Sequence, residues 1–183
     1  HTADGSIFAG RWKDAYTGIG RCNMLLQHIG LNKELSAEAV TQMKAQARFL
    51  RALYYSVLTT YYYKAPLIVD SPDISQVGRT RTDRAEMIRF IVDELGDIAK
   101  ILPRTAKSDQ GRPTAGAALA LRARVLNFEA SALCNPGHET KPWEEAADAA
   151  WEVMELGVYS LYQDGYAKLF TEAAEHSSES IFN

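Results

Sequence analysis

Between Leu50 and Leu67 the chain reads LRALYYSVLTTYYYKAPL, which places five tyrosines in ten positions and then a proline. Phenol rings in such a row can stack on the apolar face of a sugar or a base, or they can fill a core while each hydroxyl stays wet. On a helix, Tyr54 and Tyr61 share one face and Tyr55 and Tyr62 another, the two faces standing about 100° apart. Only the 54/61 pair extends the stripe of Leu50, Leu53 and Val57. The pattern therefore predicts most of the cluster, Tyr54 and Tyr61 first, in the core, and Tyr63 exposed at the helix exit.

Other reactive residue types are scattered. Carboxylates cluster in DELGD (93 to 97) and WEEAAD (143 to 148), and paired carboxylates are what a glycosidase needs. Both runs fall on the polar faces of amphipathic patterns, where acidic residues keep a helix face in water. His1, His28, His138 and His176 stand in unrelated contexts, with no HExxH, no G-x-S-x-G and no glycine-rich phosphate loop. The sequence thus indicates no metal, no cofactor and no catalytic residue. Cys22 and Cys134 lie inside apolar helical patterns without a CxxC partner and read as buried free thiols. Arg79, Arg81 and Arg84 sit close together, but a net charge of −3 argues against nucleic acid, and the three read as a solvated loop and helix start.

The elements that carry these residues follow from the hydrophobic period. At 183 residues, 46% hydrophobic and 23% charged, the chain is long enough for one sizeable core. Trp12, Ala15, Tyr16, Ile19, Cys22, Leu26 and Ile29 recur at helical spacing, as do Leu50, Leu53, Tyr54, Val57 and Tyr61. A third helix runs through Ile88, Ile91, Val92, Leu95, Ala99 and Leu102, opened by Asp83 and Glu86 as a capping box and closed by Pro103. Leu121, Val125, Phe128 and Ala132 give a fourth, capped by Thr114 and ended by NPG at 135 to 137. Trp143, Ala146, Ala147, Ala150 and Met154 give a fifth, with Pro142 in its first turn and Gly157 at its end. Strand signals are confined to scraps such as PLIV (66 to 69) and SIF (180 to 182).

The helices rhyme. LRALYY at 50 to 55 matches LRARVL at 121 to 126, and WKDAY at 12 to 16 matches WEEAA at 143 to 147. The expected fold is all-α: stacked helical hairpins like tetratricopeptide repeats, spaced by long embellished loops, with Arg51 and Arg122 at equivalent places in successive second helices. The loop from Lys64 to Arg81 is long enough to expect a functional or partner-facing role.

In order along the chain, W-x-x-A-Y-x-x-I-x-x-x-N (12 to 23), A-R-F-L-R-A-L-Y-Y (47 to 55) leading to Pro66-Leu67, R-T-D-R-A-E-M-I-R-F-I-V-D-E-L (81 to 95), L-P (102 to 103), G-R-P-T-A-G-A-A-L-A-L-R-A-R-V (111 to 125), W-E-E-A-A-D-A-A-W-E-V-M-E-L-G-V-Y-S-L (143 to 161) and S-E-S-I-F (178 to 182) resemble the SusD/RagB-like family of nutrient-binding proteins. The helix exit, YYYKAPL, departs from the tyrosine-glycine turn typical of that family.

The resemblance implies a non-catalytic, lipid-anchored protein on the outer face of the outer membrane. It would bind an oligosaccharide, or in some members a peptide, and cap a SusC-like TonB-dependent transporter. It further implies that residues 1 to 183 form a single helical-repeat domain, a fragment without the anchoring cysteine and the C-terminal ligand-binding half. In the family the ligand site includes loops before the first repeat helix, which carries over to His1, Asp4 and Phe8 as candidate ligand-binding residues. The residues alone also admit a helical-repeat scaffold for protein partners, or an all-α glycosidase fragment.

Overall fold

The structure, a computed structural model, describes residues 6–105, 111–175 and 177–182. Six α-helices account for most of it: α1 (Ser6–His28), α2 (Ala37–Tyr62), α3 (Arg84–Ala99), α4 (Ala115–Ala130), α5 (Thr140–Glu155) and the short α6 (Tyr166–Leu169). Among the described residues there is no strand, so the all-α expectation holds. The chain divides into two compact units, His1–Ile98 and Ala99–Asn183.

In the first unit, α1 and α2 pack as a hairpin. Ser36 caps α2, its hydroxyl accepting from the Ala39 N–H at 3.1 Å, and Glu38 places a negative charge against the first turn. Ala15, Ile19 and Cys22 of α1 are buried, and so are Phe49, Ala52, Tyr55 and Leu58 of α2 and Met87, Ile91, Leu95 and Ile98 of α3. Gly18 lies under the Tyr54 ring so closely that a Cβ there would stand 2.2 Å from a ring carbon. The helices can approach at that point because glycine has no side chain.

The tyrosine assignment needs correcting. Tyr55 is fully buried, whereas Tyr54 is half-buried over Gly18 and Tyr61 is 53% exposed. The apolar stripe of Leu50, Leu53 and Val57 points to the margin of the hairpin, because the inner face of α2 is built largely from small and polar residues: Ala45, Ala52, Ser56 and Thr59, with Arg51 among them. Hydrophobicity alone does not reveal such a face. Tyr63 is exposed, as expected. On α3 the buried stripe is Arg84, Met87, Ile91, Leu95 and Ile98: Ile91 and Leu95 are buried as the period predicts, whereas Ile88, Val92 and Ala99 are only half-buried, and Arg84 turns inward to the end of α2.

In the second unit, α4 and α5 pack as a hairpin. Thr114 caps α4 as expected, accepting from the Ala117 N–H at 3.1 Å. Gly116 mirrors Gly18: a Cβ there would lie 2.2 Å from the Tyr159 hydroxyl. α4 ends at Ala130, before the NPG signal, and Asn135 ties the turn together by accepting from the Glu139 N–H at 3.1 Å and donating to the Glu139 carbonyl at 2.8 Å. Gly157, with φ +62, ends α5 as the sequence predicts.

The repeat register is also corrected. In the first hairpin the W-x-x-A helix precedes the L-R-A helix; in the second it follows, so Arg122 lies in a first helix and not a second. The two arginines share a different relation. Each reaches forward to a carboxylate on the helix next in sequence, Arg51 to Glu94 of α3 at 2.7 Å and Arg122 to Glu152 of α5 at 2.5 Å.

Candidate functional site

Of the residues proposed from sequence, His1 and Asp4 lie outside the described residues. Phe8 lies in the first turns of α1, half-buried, and its carbonyl accepts from the Tyr62 hydroxyl. Tyr62 meets the Trp12 ring edge-on, with centroids 5.0 Å apart, and Trp12 meets Tyr16 at 4.9 Å. The start of α1 and the end of α2 thus build one aromatic end of the hairpin. Helical spacing on two antiparallel elements brings these rings together; no local motif announces it.

The exit from α2 is the most unusual stretch of backbone. Tyr63 has φ +65 and ψ −54, and the Lys64 N–H donates to the Tyr62 carbonyl at 2.7 Å, which closes a strained γ-turn. A tyrosine held there costs about 1–3 kcal/mol. Arg84 locks the turn: Nη1 donates to the Thr59 carbonyl at 2.6 Å and to the Tyr63 carbonyl at 3.3 Å, and the guanidinium carbon lies 4.9 Å from the Tyr63 ring centroid. Beside it, Lys64 Nζ meets Asp83 at 2.5 Å. That contact raises the lysine pKa and lowers the aspartate pKa, hydrogen bonding being the larger cause in each. Both groups are exposed, so the pair defines geometry more than stability.

Downstream, residues 66 to 70 are held by side chains that grip the main chain. Tyr16 donates to the Pro66 carbonyl at 2.7 Å, and Asn23 Nδ2 donates to the Ile68 and Asp70 carbonyls at 2.9 and 2.8 Å. Tyr55 donates to the Ile68 carbonyl at 2.9 Å and accepts from the Ile68 N–H at 2.7 Å. Burial pushes the Tyr55 phenol up to about 12 and raises that of Tyr16 as well. Arg51 orients Asn23 from behind, donating to its Oδ1 at 2.9 Å, and is neutralised by Glu94, which also takes Arg48 at 2.7 Å. The tyrosine row thus answers as a clasp: Tyr55 is core and polar anchor at once. This network went unseen in the sequence, although Asn23 closes W-x-x-A-Y-x-x-I-x-x-x-N.

Two members of the carboxylate runs are held by neighbouring cations. Glu94 is consumed by two arginines, and Glu145 faces Lys141 at 3.7 Å on the surface of α5. In the second unit a cavity of about 550 Å³ is lined by Phe170, Thr171, Glu172, Glu175, Ser177 and Glu179, with Tyr166 and Phe170 stacked edge-on beside it at 5.0 Å. Among the described residues no group of three His, Cys, Asp or Glu could hold a metal ion, and no helix is long and apolar enough to cross a membrane.

Residues 2–126 match the SusD-like family described as starch-binding and associating with the outer membrane. The chain belongs to the SusD-like family. Among its relatives, SusD-like protein P25 of Formosa agariphila is 26% identical over 181 residues, covering 94% of this chain and 31% of that protein. A SusD-like carbohydrate binding protein of Bacteroides fragilis is 31% identical with a TM-score of 0.82, covering 99% of this chain and 34% of that one. A laminarin binding SusD-like protein is 26% identical with a TM-score of 0.80, covering 94% and 36%. The SusD-like chain therefore spans about a third of the length of the relatives it matches. The helical superhelix of these structures agrees with the all-α architecture described above.

Proposed function

We propose that this SusD-like chain is part of a non-catalytic glycan-binding protein at the outer-membrane surface, which delivers an oligosaccharide to a SusC-like TonB-dependent transporter. The observation that carries this reading is the family match over residues 2–126, together with relatives named for carbohydrate and laminarin binding. The aromatic end of the first hairpin is consistent with it. Rings presented beside exposed charged groups suit a pyranose, whose C–H face stacks while its hydroxyls hydrogen-bond. Such a shallow site gives affinities in roughly the micromolar range, because ligand ordering and desolvation offset part of the contact energy. In this role His1, Asp4 and Phe8 remain the candidate contacts from the chain's first residues.

The test is titration of the full-length protein with starch, laminarin and a panel of neutral glycans, followed by analysis of the recovered ligand. Binding with the glycan returned intact is the expected result. New reducing ends, lost when Glu144 or Glu145 is neutralised, would establish the glycosidase reading instead.

The scaffold reading is favoured by one observation: α5 turns Trp143, Trp151 and Met154 to solvent, and large apolar side chains exposed together on one helix are a usual mark of a protein contact. Failure of every glycan, with recovery of a protein complex through α5, would support that alternative.

A further inference from the structure

We propose that Tyr63 is a sugar-stacking ring of the glycan site, kept at a strained position because its side chain is used. The inference rests on the glycan-binding reading above. Its first support is conformational. At φ +65 and ψ −54 a glycine would sit without penalty, and Tyr63 and His138 are the only described non-glycine residues with positive φ. Strain of this kind persists where the surroundings over-determine it, and it clusters at ligand clamps.

The surroundings of Tyr63 account for its backbone more fully than for its ring, whose described contact is the Arg84 guanidinium. Arg84 ties down the carbonyls of Thr59 and Tyr63, contacts that a glycine at 63 would preserve equally. The ring itself is not core: Tyr63 is 57% exposed, and its hydroxyl makes no hydrogen bond among the described residues. Burial therefore does not compensate for the strain, as it would for a packed tyrosine.

What the ring does have is orientation. The buried Arg84 guanidinium lies over it at 4.9 Å, a cation–π contact that fixes its plane while most of the residue faces solvent. A ring already ordered before binding loses little side-chain entropy when a ligand arrives. Next to it the exposed Lys64 and Asp83 offer a donor and an acceptor, the pair of functions that sugar hydroxyls require. The preceding residue, Tyr62, rests on Trp12 and the Phe8 carbonyl, so the turn that carries Tyr63 follows directly on the aromatic end of the hairpin. The ligand class this arrangement takes is an uncharged pyranose unit, its C–H face on the ring and its hydroxyls toward Lys64 and Asp83.

The experiment compares unmutated full-length protein with Tyr63→Gly and Tyr63→Phe, using laminarin and soluble starch as probes and thermal unfolding as a second measurement. Tyr63→Gly should leave Tm within a few degrees of the unmutated protein, since relieved strain is offset by the lost Arg84 contact and the freer unfolded chain, yet weaken binding of whichever glycan is bound by at least about five-fold, the loss of one stacked ring. Tyr63→Phe, which keeps the ring, should stay within about three-fold of the unmutated protein. Undiminished affinity in Tyr63→Gly overturns the proposal, as does a Tyr63→Phe loss equal to that of Tyr63→Gly. Should the unmutated protein bind neither probe nor a wider panel of neutral glycans, the glycan-binding reading itself fails and this proposal with it. That outcome differs from an unmutated protein that binds and a glycine variant that binds equally well.

Discussion

Single residues decide more here than their hydrophobicity suggests. Tyr55 is buried with a phenol pKa of about 12 against an ordinary 10.0, so its neutral form is favoured by folding. A folded pKa above the unfolded one means that the stabilisation is complete below about pH 10 and disappears as pH rises through about 12. The expected loss across that window is on the order of 2–3 kcal/mol, readable as a falling denaturant midpoint between pH 9 and pH 12, and the slope should flatten in Tyr55→Phe. Gly18 gives a second expectation. Gly18→Ala should cost about 1–3 kcal/mol by forcing the Tyr54 ring aside, and Tyr54→Ala in the same chain should recover part of it, giving clear non-additivity in a double-mutant cycle. Simple addition of the two losses would mean that the ring is free to move. Nothing in the sequence marks Gly18 as a contact; its role depends on a tyrosine 36 positions away.

At the scale of elements, the helices were largely legible and their inner faces only partly so. The 3.6-residue period located all five long helices, and Thr114 and Gly157 worked as written, because caps and chain reversal are local chemistry. The inner face of α2 was missed because the decisive residue there is charged. Arg51 is buried only because Glu94 and Asn23, from two other helices, satisfy it, a condition that no window on α2 contains. Removing one member should therefore be severe: Glu94→Ala is expected to cost about 3–5 kcal/mol by stranding Arg51, whereas the exposed Lys141–Glu145 pair on α5 should contribute less than about 1 kcal/mol. Chemical denaturation of the two variants checks the contrast, and equal small losses would show that Arg51 finds water instead. Asp83 shows the same limit in a loop. It opens α3 as its spacing to Glu86 predicts, its carbonyl accepting from the Met87 N–H at 3.0 Å, but its carboxylate goes to Lys64, a residue brought close only by the chain's return.

For the molecule as a whole, family membership was readable because it lies in an ordered series of segments along the chain, while the contacts of the proposed glycan site were not, since no local motif announces which separate segments meet. The clasp on residues 66 to 70 carries a consequence for how such a protein can change over generations. Asn23, Arg51, Tyr55 and Tyr16 hold carbonyl oxygens and one N–H, groups that every residue possesses, and so the grip does not depend on which side chains the gripped segment bears. Heritable variation can accordingly concentrate on one side of the contact. In a saturation mutagenesis library selected for folded protein, Ile68 and Val69 should accept many replacements and Asn23 and Tyr55 very few; a tolerance profile in the reverse order would contradict this. A frame that anchors a segment by its backbone leaves that segment's side chains open to innovation without the helices having to be reinvented.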